Sequence, residues 1–78
     1  MHKRMGMIEL FRTNIVSKDT KKQILTEIKQ QFPGVVATLE LEDNDRILRV
    51  VGAWAPVQTA GVIALVKQHG YECELLHD

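Results

Sequence analysis

Soft-metal capture, nucleophilic attack and thiol redox chemistry begin with sulfur or imidazole, and this 78-residue chain carries one cysteine and three histidines. Cys73 has no second cysteine to pair with, so no intramolecular disulfide forms and a reducing, cytoplasmic setting is expected. Its alternation with Tyr71 and Leu75 places it in a strand, where a lone cysteine behaves as a small core residue. His69 closes an apolar helical stretch just before Gly70, and an imidazole there complements the negative end of the helix dipole. If Asp43 or Asp45 approached His69, the set would offer at best mixed nitrogen and oxygen ligands for zinc or another divalent ion. Met1, His2, Met5 and Met7 also carry copper-compatible donors, but residues 1–6 read as a disordered start with incidental methionines. No histidine stands beside a nucleophile, no carboxylates pair in a motif and no glycine-rich phosphate loop occurs, so no enzyme activity and no cofactor are expected.

Ten basic and ten acidic residues cancel. Without a basic excess, neither nucleic acid nor an acidic membrane surface is the expected partner. A composition of 45% hydrophobic and 26% charged residues is that of a packed globular domain. Residues 7–78 are long enough for one core, and the start lacks the apolar run of a secretory or membrane segment.

The elements that must position these side chains follow from periodicity. Met7 to Ile15 reads as a strand; Ile8 and Leu10 share one face, Phe11, Thr13 and Ile15 the other, and which face turns inward stays open. Ser17 or Asp19 can cap a helix in which Thr20 and Gln23 have capping-box spacing. Ile24, Leu25, Ile28 and Phe32 form its apolar stripe, and Pro33 stops it. Val35 to Glu42 alternates with period two, and Asp43, Asn44 and Asp45 turn the chain into a strand from Arg46 to Val51. Glu40 and Glu42 would then face Arg46 or Arg49 across this hairpin. Pro56 suits the first turn of a second helix whose buried face holds Val62, Leu65 and Val66, and Gly70 provides the left-handed residue after it. Tyr71 to Leu76 completes a βαββαβ order. That order predicts an α+β, ferredoxin-like fold: a four-stranded antiparallel sheet in the order 4-1-3-2 with two helices on one face. The loop after the first strand, the hairpin turn and the loop before the last strand gather at one end, with Pro33 and Trp54 at the other.

The element order, the Pro33-Gly34-Val35 turn and the Gly70-Tyr71 step resemble the heavy-metal-associated domains, the family of small copper chaperones and metal-pump modules. The resemblance spans roughly residues 8 to 76. It implies a Met-x-Cys-x-x-Cys loop after the first strand, where two thiolates bind a soft ion. Matching Ile15 to the family methionine puts Ser17 and Thr20 at the cysteine positions, whereas counting back from Gly34 puts Lys18 and Lys21 there. Hydroxyls are poor soft-metal ligands and an ammonium has no lone pair, so in either register this is a degenerate member without the metal site. Tyr71 matches an aromatic often found beside that site and reads here as packing. Acylphosphatases share the topology, but their phosphate loop with its arginine is absent, and stacking aromatics for RNA are too few.

The expectation is therefore a non-catalytic module that docks a protein partner or a second copy of itself, through the edge strands or an outer face exposing Val36, Ile47 and Val51. The alternative is a copper or zinc carrier or sensor with unconventional ligands around the Asn14 to Lys21 loop and His69. Trp54, the one large aromatic in a loop, reads as a lid over the core or as an anchor for a partner.

Overall fold

The computed structural model describes residues 7–42 and 44–76. The expected disordered start, with Met1, His2 and Met5, lies outside the described residues, as do Asp43 and residues 77–78. Strand β1 (Ile8–Thr13) leads to helix α1 (Lys18–Gln31), strands β2 (Val35–Leu39) and β3 (Ile47–Gly52), helix α2 (Thr59–Gln68) and strand β4 (Cys73–Leu75). The four strands form one antiparallel sheet, β2-β3-β1-β4, which is the expected order read from the other edge. β2 and β4 are its edges, and the two helices pack on one face of this ferredoxin-like α+β fold.

The register settles which face of β1 turns inward. Phe11 pairs with Leu48, and Leu48 with Leu39, so these side chains make one continuous row under the helices. Ile24 and Ile28 of α1 and Val62, Leu65 and Val66 of α2 close over that row and are buried. Each such side chain taken fully from water contributes about 1.5–3 kcal/mol, so this layer is the main driving force of the fold. Strand alternation then obliges Ile8 and Leu10 to point to the opposite, open face.

Several elements are shorter than the periodicity suggests, for local reasons. β1 stops at Thr13 because the Ile15 amide, two residues on, turns back to donate to Thr13 Oγ1 at 3.3 Å. β2 ends at Leu39, although the Glu40 amide still donates to the Ile47 carbonyl at 3.1 Å. β4 begins only at Cys73, because the Glu72 amide donates to Asn14 Oδ1 at 2.8 Å instead of joining a ladder. Pro56 lies ahead of α2, not in its first turn: Val57 first anchors the chain in the core, and helical bonding starts with the Val62 amide donating to the Gln58 carbonyl. The cap of α1 is Ser17, whose Oγ accepts from the Asp19 and Thr20 amides, so the Thr20–Gln23 capping box does not form. Arg49 stands opposite Thr38, not a glutamate, and the ion pairs on this face gather instead on Arg12, with Asp45 and Glu74.

Two glycines adopt the left-handed conformation that their turns require, Gly34 at φ +98° and Gly70 at φ +89°. At Gly34 the carbonyl accepts from the Ala53 and Trp54 amides, which ties the turn after α1 to the loop after β3. Trp54 is 76% exposed, with its ring lying against Gly34, so it does not serve as a lid over the core. Phe32 packs its ring on Gly61 of α2.

Candidate functional site

At one end of the sheet the three expected connections meet, and most of their polar groups bond to one another, the buried Arg46 Nε being left without a partner among the described residues. Thr13 is the junction. Its amide donates to the Asp45 carbonyl at 3.3 Å, its hydroxyl donates to the Arg46 carbonyl at 2.8 Å and that same oxygen accepts from the Ile15 amide. Ile15 itself is fully buried in the core. Ser17 is occupied in capping α1, and Thr20 Oγ1 lies 3.1 Å from the Tyr71 hydroxyl, joining α1 to the segment before β4. Tyr71 thus packs against the core and bonds to a helix hydroxyl. Lys18 and Lys21 face away from this junction, into a groove between α1 and the end of β2.

The other candidate ligands are kept apart. His69 caps α2 with its backbone while its Nε2 lies 3.1 Å from Glu27 Oε1 on α1. Asp45 turns to Arg12, at 3.7 Å, so it does not meet His69. Cys73 faces inward opposite Thr13 and is only 5% exposed. Burial pushes its thiol up from 9.0 to about 11, with Lys67 pulling weakly the other way, so at neutral pH it holds its proton. Among the described residues, no three His, Cys, Asp or Glu side chains converge as metal ligands would.

Two surfaces of the sheet stay uncovered. On the open face Ile8 pairs with Val51 and Val51 with Val36, a straight apolar row across three strands. Ile8 is 55% exposed, Val36 57% and the adjacent Leu10 37%. Ile47, expected in this group, is set apart from Val51 by Arg49. Sequence alternation does not single out Ile8 and Leu10, because both faces of β1 carry apolar residues; the bulk of Phe11 was the available signal for the assignment seen. Beyond the row, Arg12 and Glu74 pair at 3.3 Å and form a charged border.

The β2 edge is the second uncovered surface. Its neighbour β3 uses the backbone groups of alternate residues, since the Gly34 carbonyl accepts from Ala53 and the Glu40 amide donates to Ile47 in the same register. In an antiparallel ladder that parity turns the backbone groups of Val35, Ala37 and Leu39 toward the free edge. A groove of about 330 Å³ beside Val35 and Ala37, walled by Leu25 and Lys29, runs along this edge. It continues into one of about 570 Å³ where Leu41, Glu40 and Glu42 face Lys22.

Fold and surfaces together define a small α+β domain of ferredoxin-like topology, with a loop end bound together by its own polar groups, an open apolar sheet face and an unpaired edge. No helix among the described residues is long and apolar enough to cross a membrane. Comparison with protein-family models, with curated proteins and with solved structures gives no match to this chain.

Proposed function

We propose that this chain is a non-catalytic, cytoplasmic protein-interaction module, a degenerate relative of the heavy-metal-associated domains that works without their metal. The observation that carries the reading is the row Ile8, Val51 and Val36, with Leu10 beside it, held in the open by a rigid sheet. Contiguous apolar surface of this kind is costly in water unless a partner covers it, and the charged border of Arg12 and Glu74 suits the polar rim of a protein interface. The loop end supports the metal-free half of the reading. Ser17 and Thr20 are engaged with backbone amides and Tyr71, and Lys18 and Lys21 supply no lone pair.

Two measurements test the proposal. Amide spectra recorded during separate titrations with Cu(I) and Zn(II) under reducing conditions are expected to show no saturable shift at residues 14–21 or 69–71. Saturation there at micromolar metal establishes the carrier or sensor reading instead. A photo-cross-linking residue at position 10, introduced in the native cell, is expected to give a discrete adduct with a second protein, lost on Ile8→Glu. Absence of any adduct removes the docking role.

A further inference from the structure

One free edge of the sheet, β2, presents a row of backbone groups to solvent. Val35, Ala37 and Leu39 direct backbone groups away from β3. Val35 N–H is already turned back to the Phe32 carbonyl at 3.4 Å, but among the described residues the Val35 carbonyl and both groups of Ala37 and Leu39 have no partner. Edge strands are commonly protected by lysine, proline, a bulge or an overlying loop. The β2 segment Val35–Leu39 reads VVATL, with neither charge nor proline.

We infer that β2 pairs with β2 of a second copy of this chain, antiparallel about a twofold axis at Ala37. This inference rests on the proposed role as an interaction module and assigns a partner to one of its surfaces. The register follows from the parity. With Ala37 opposite Ala37, each Ala37 amide donates to the other copy's Ala37 carbonyl, and each Leu39 amide donates to the other copy's Val35 carbonyl. These are the groups left unpaired. The Leu39 carbonyl faces the other copy's Val35 amide, which is already turned back to Phe32, so each outer pair forms one bond of its two until that long 3.4 Å contact is released.

Side chains agree with the same axis. Val36 of each copy falls in a non-hydrogen-bonded pair with Thr38 of the other, where two β-branched residues come closest on the open face. The apolar rows of the two copies thereby lie side by side, offset by one pair, each Val36 row meeting Thr38 of the other copy. Above the axis, the small Ala37 leaves room for Leu25 of each α1 to approach its counterpart over the groove. At the groove ends, the twofold brings Lys29 of one copy to Glu40 and Glu42 of the other, since Lys29 flanks the Val35 end and the glutamates flank the Leu41 end. The centre is apolar and the rim ionic, as in an isologous interface. Lys22 shares the glutamate end, so the rim sets register more than affinity. The formal net charge of zero adds no long-range repulsion between copies.

An interface of one short strand and one groove falls at the low end of specific association, with a dissociation constant of order 0.1 mM. Sedimentation equilibrium from about 10 µM to about 1 mM, paired with amide spectra over the same dilution, reads this directly. The expected result is a mass rising from one chain toward two, with concentration-dependent shifts concentrated at residues 35–39. Ala37→Pro removes an amide that points away from β3 and is expected to weaken association at least about tenfold. Should that variant fail to fold, Lys29→Glu is expected to weaken association severalfold and Lys29→Glu with Glu42→Lys to restore it. A one-chain mass at about 1 mM overturns the inference, as does a dimer whose shifts fall on β4 or on the open face of β1. A one-chain mass with an intact cross-link from position 10 removes only the second copy and leaves the docking role standing. A dimer without that cross-link does the reverse.

Discussion

Alanine substituted at Gly34 and at Gly70 separates two costs that are usually measured together. Both glycines sit at nearly the same left-handed φ, +98° and +89°, so alanine pays a similar conformational penalty at each, about 1–2 kcal/mol. Both substitutions also narrow the unfolded ensemble equally, and that term cancels between them. Their surroundings differ. A Cβ at Gly70 meets nothing within 4 Å, whereas one at Gly34 comes to 2.8 Å from the Ala55 Cβ and 3.1 Å from the Trp54 ring. The exposed ring can swing aside, but Ala55 is fixed to a backbone that is itself tied to Gly34 by the Ala53 hydrogen bond. Relief therefore requires moving the loop, which costs a further roughly 1–3 kcal/mol. For a domain of this size each kcal/mol corresponds to about 4–8 °C of melting temperature. Gly34→Ala is expected to melt about 4–24 °C below Gly70→Ala in thermal scans followed by circular dichroism. Equal losses for the two variants refute the close approach of the two turns.

Ser17→Ala removes the α1 cap and is expected to cost about 1 kcal/mol in urea denaturation, with Ser17→Asp retaining most of it; no loss in Ser17→Ala contradicts the capping geometry. Tyr71→Phe deletes the bond to Thr20 and is expected to cost about 0.5–1.5 kcal/mol, with the same value in a Thr20→Val background as a sign that the bond does not exist. Because the folded protein holds the Cys73 proton up to about pH 11 while an unfolded thiol releases it near 9.0, stability falls as pH rises through that window. The fall reaches up to about 2–3 kcal/mol. Cys73→Ala is expected to lose less than the native protein between about pH 8 and about pH 10.5, and parallel losses contradict the burial of the thiol.

How far the sequence carried depended on whether one residue's neighbours were enough to place it. In β2 the alternation of Val35, Ala37 and Leu39 with Val36 and Thr38 matches the side-chain period of a strand, and its inward face is readable at once. In β1 both alternations are apolar, and only the pairing of Phe11 with Leu48, some distance along the chain, decides between them. Ile8 and Leu10 were therefore invisible as a surface until the register was known. Pro56 misplaced the start of α2 because its local preference was weaker than the pull of Val57 into the core. The size of Trp54 suggests a lid, whereas its ring lies against Gly34 in the turn after α1, a neighbour about twenty residues away in the chain that the local sequence does not reveal. Ser17 and His69 were legible because a cap and a helix end need only the residues beside them.

Gln58 makes no side-chain cap for α2, and no acidic residue stands in that helix's first turn. With those donors left to solvent, fraying begins there in preference to the serine-capped α1. Amide hydrogen exchange should thus run fastest, among helical residues, at Ala60 and Gly61, and opening that turn releases the ring of Phe32 from its glycine seat. The protein's first excursion from the native state is accordingly a loosening between the two helices, one that leaves the sheet and both of its exposed surfaces in place.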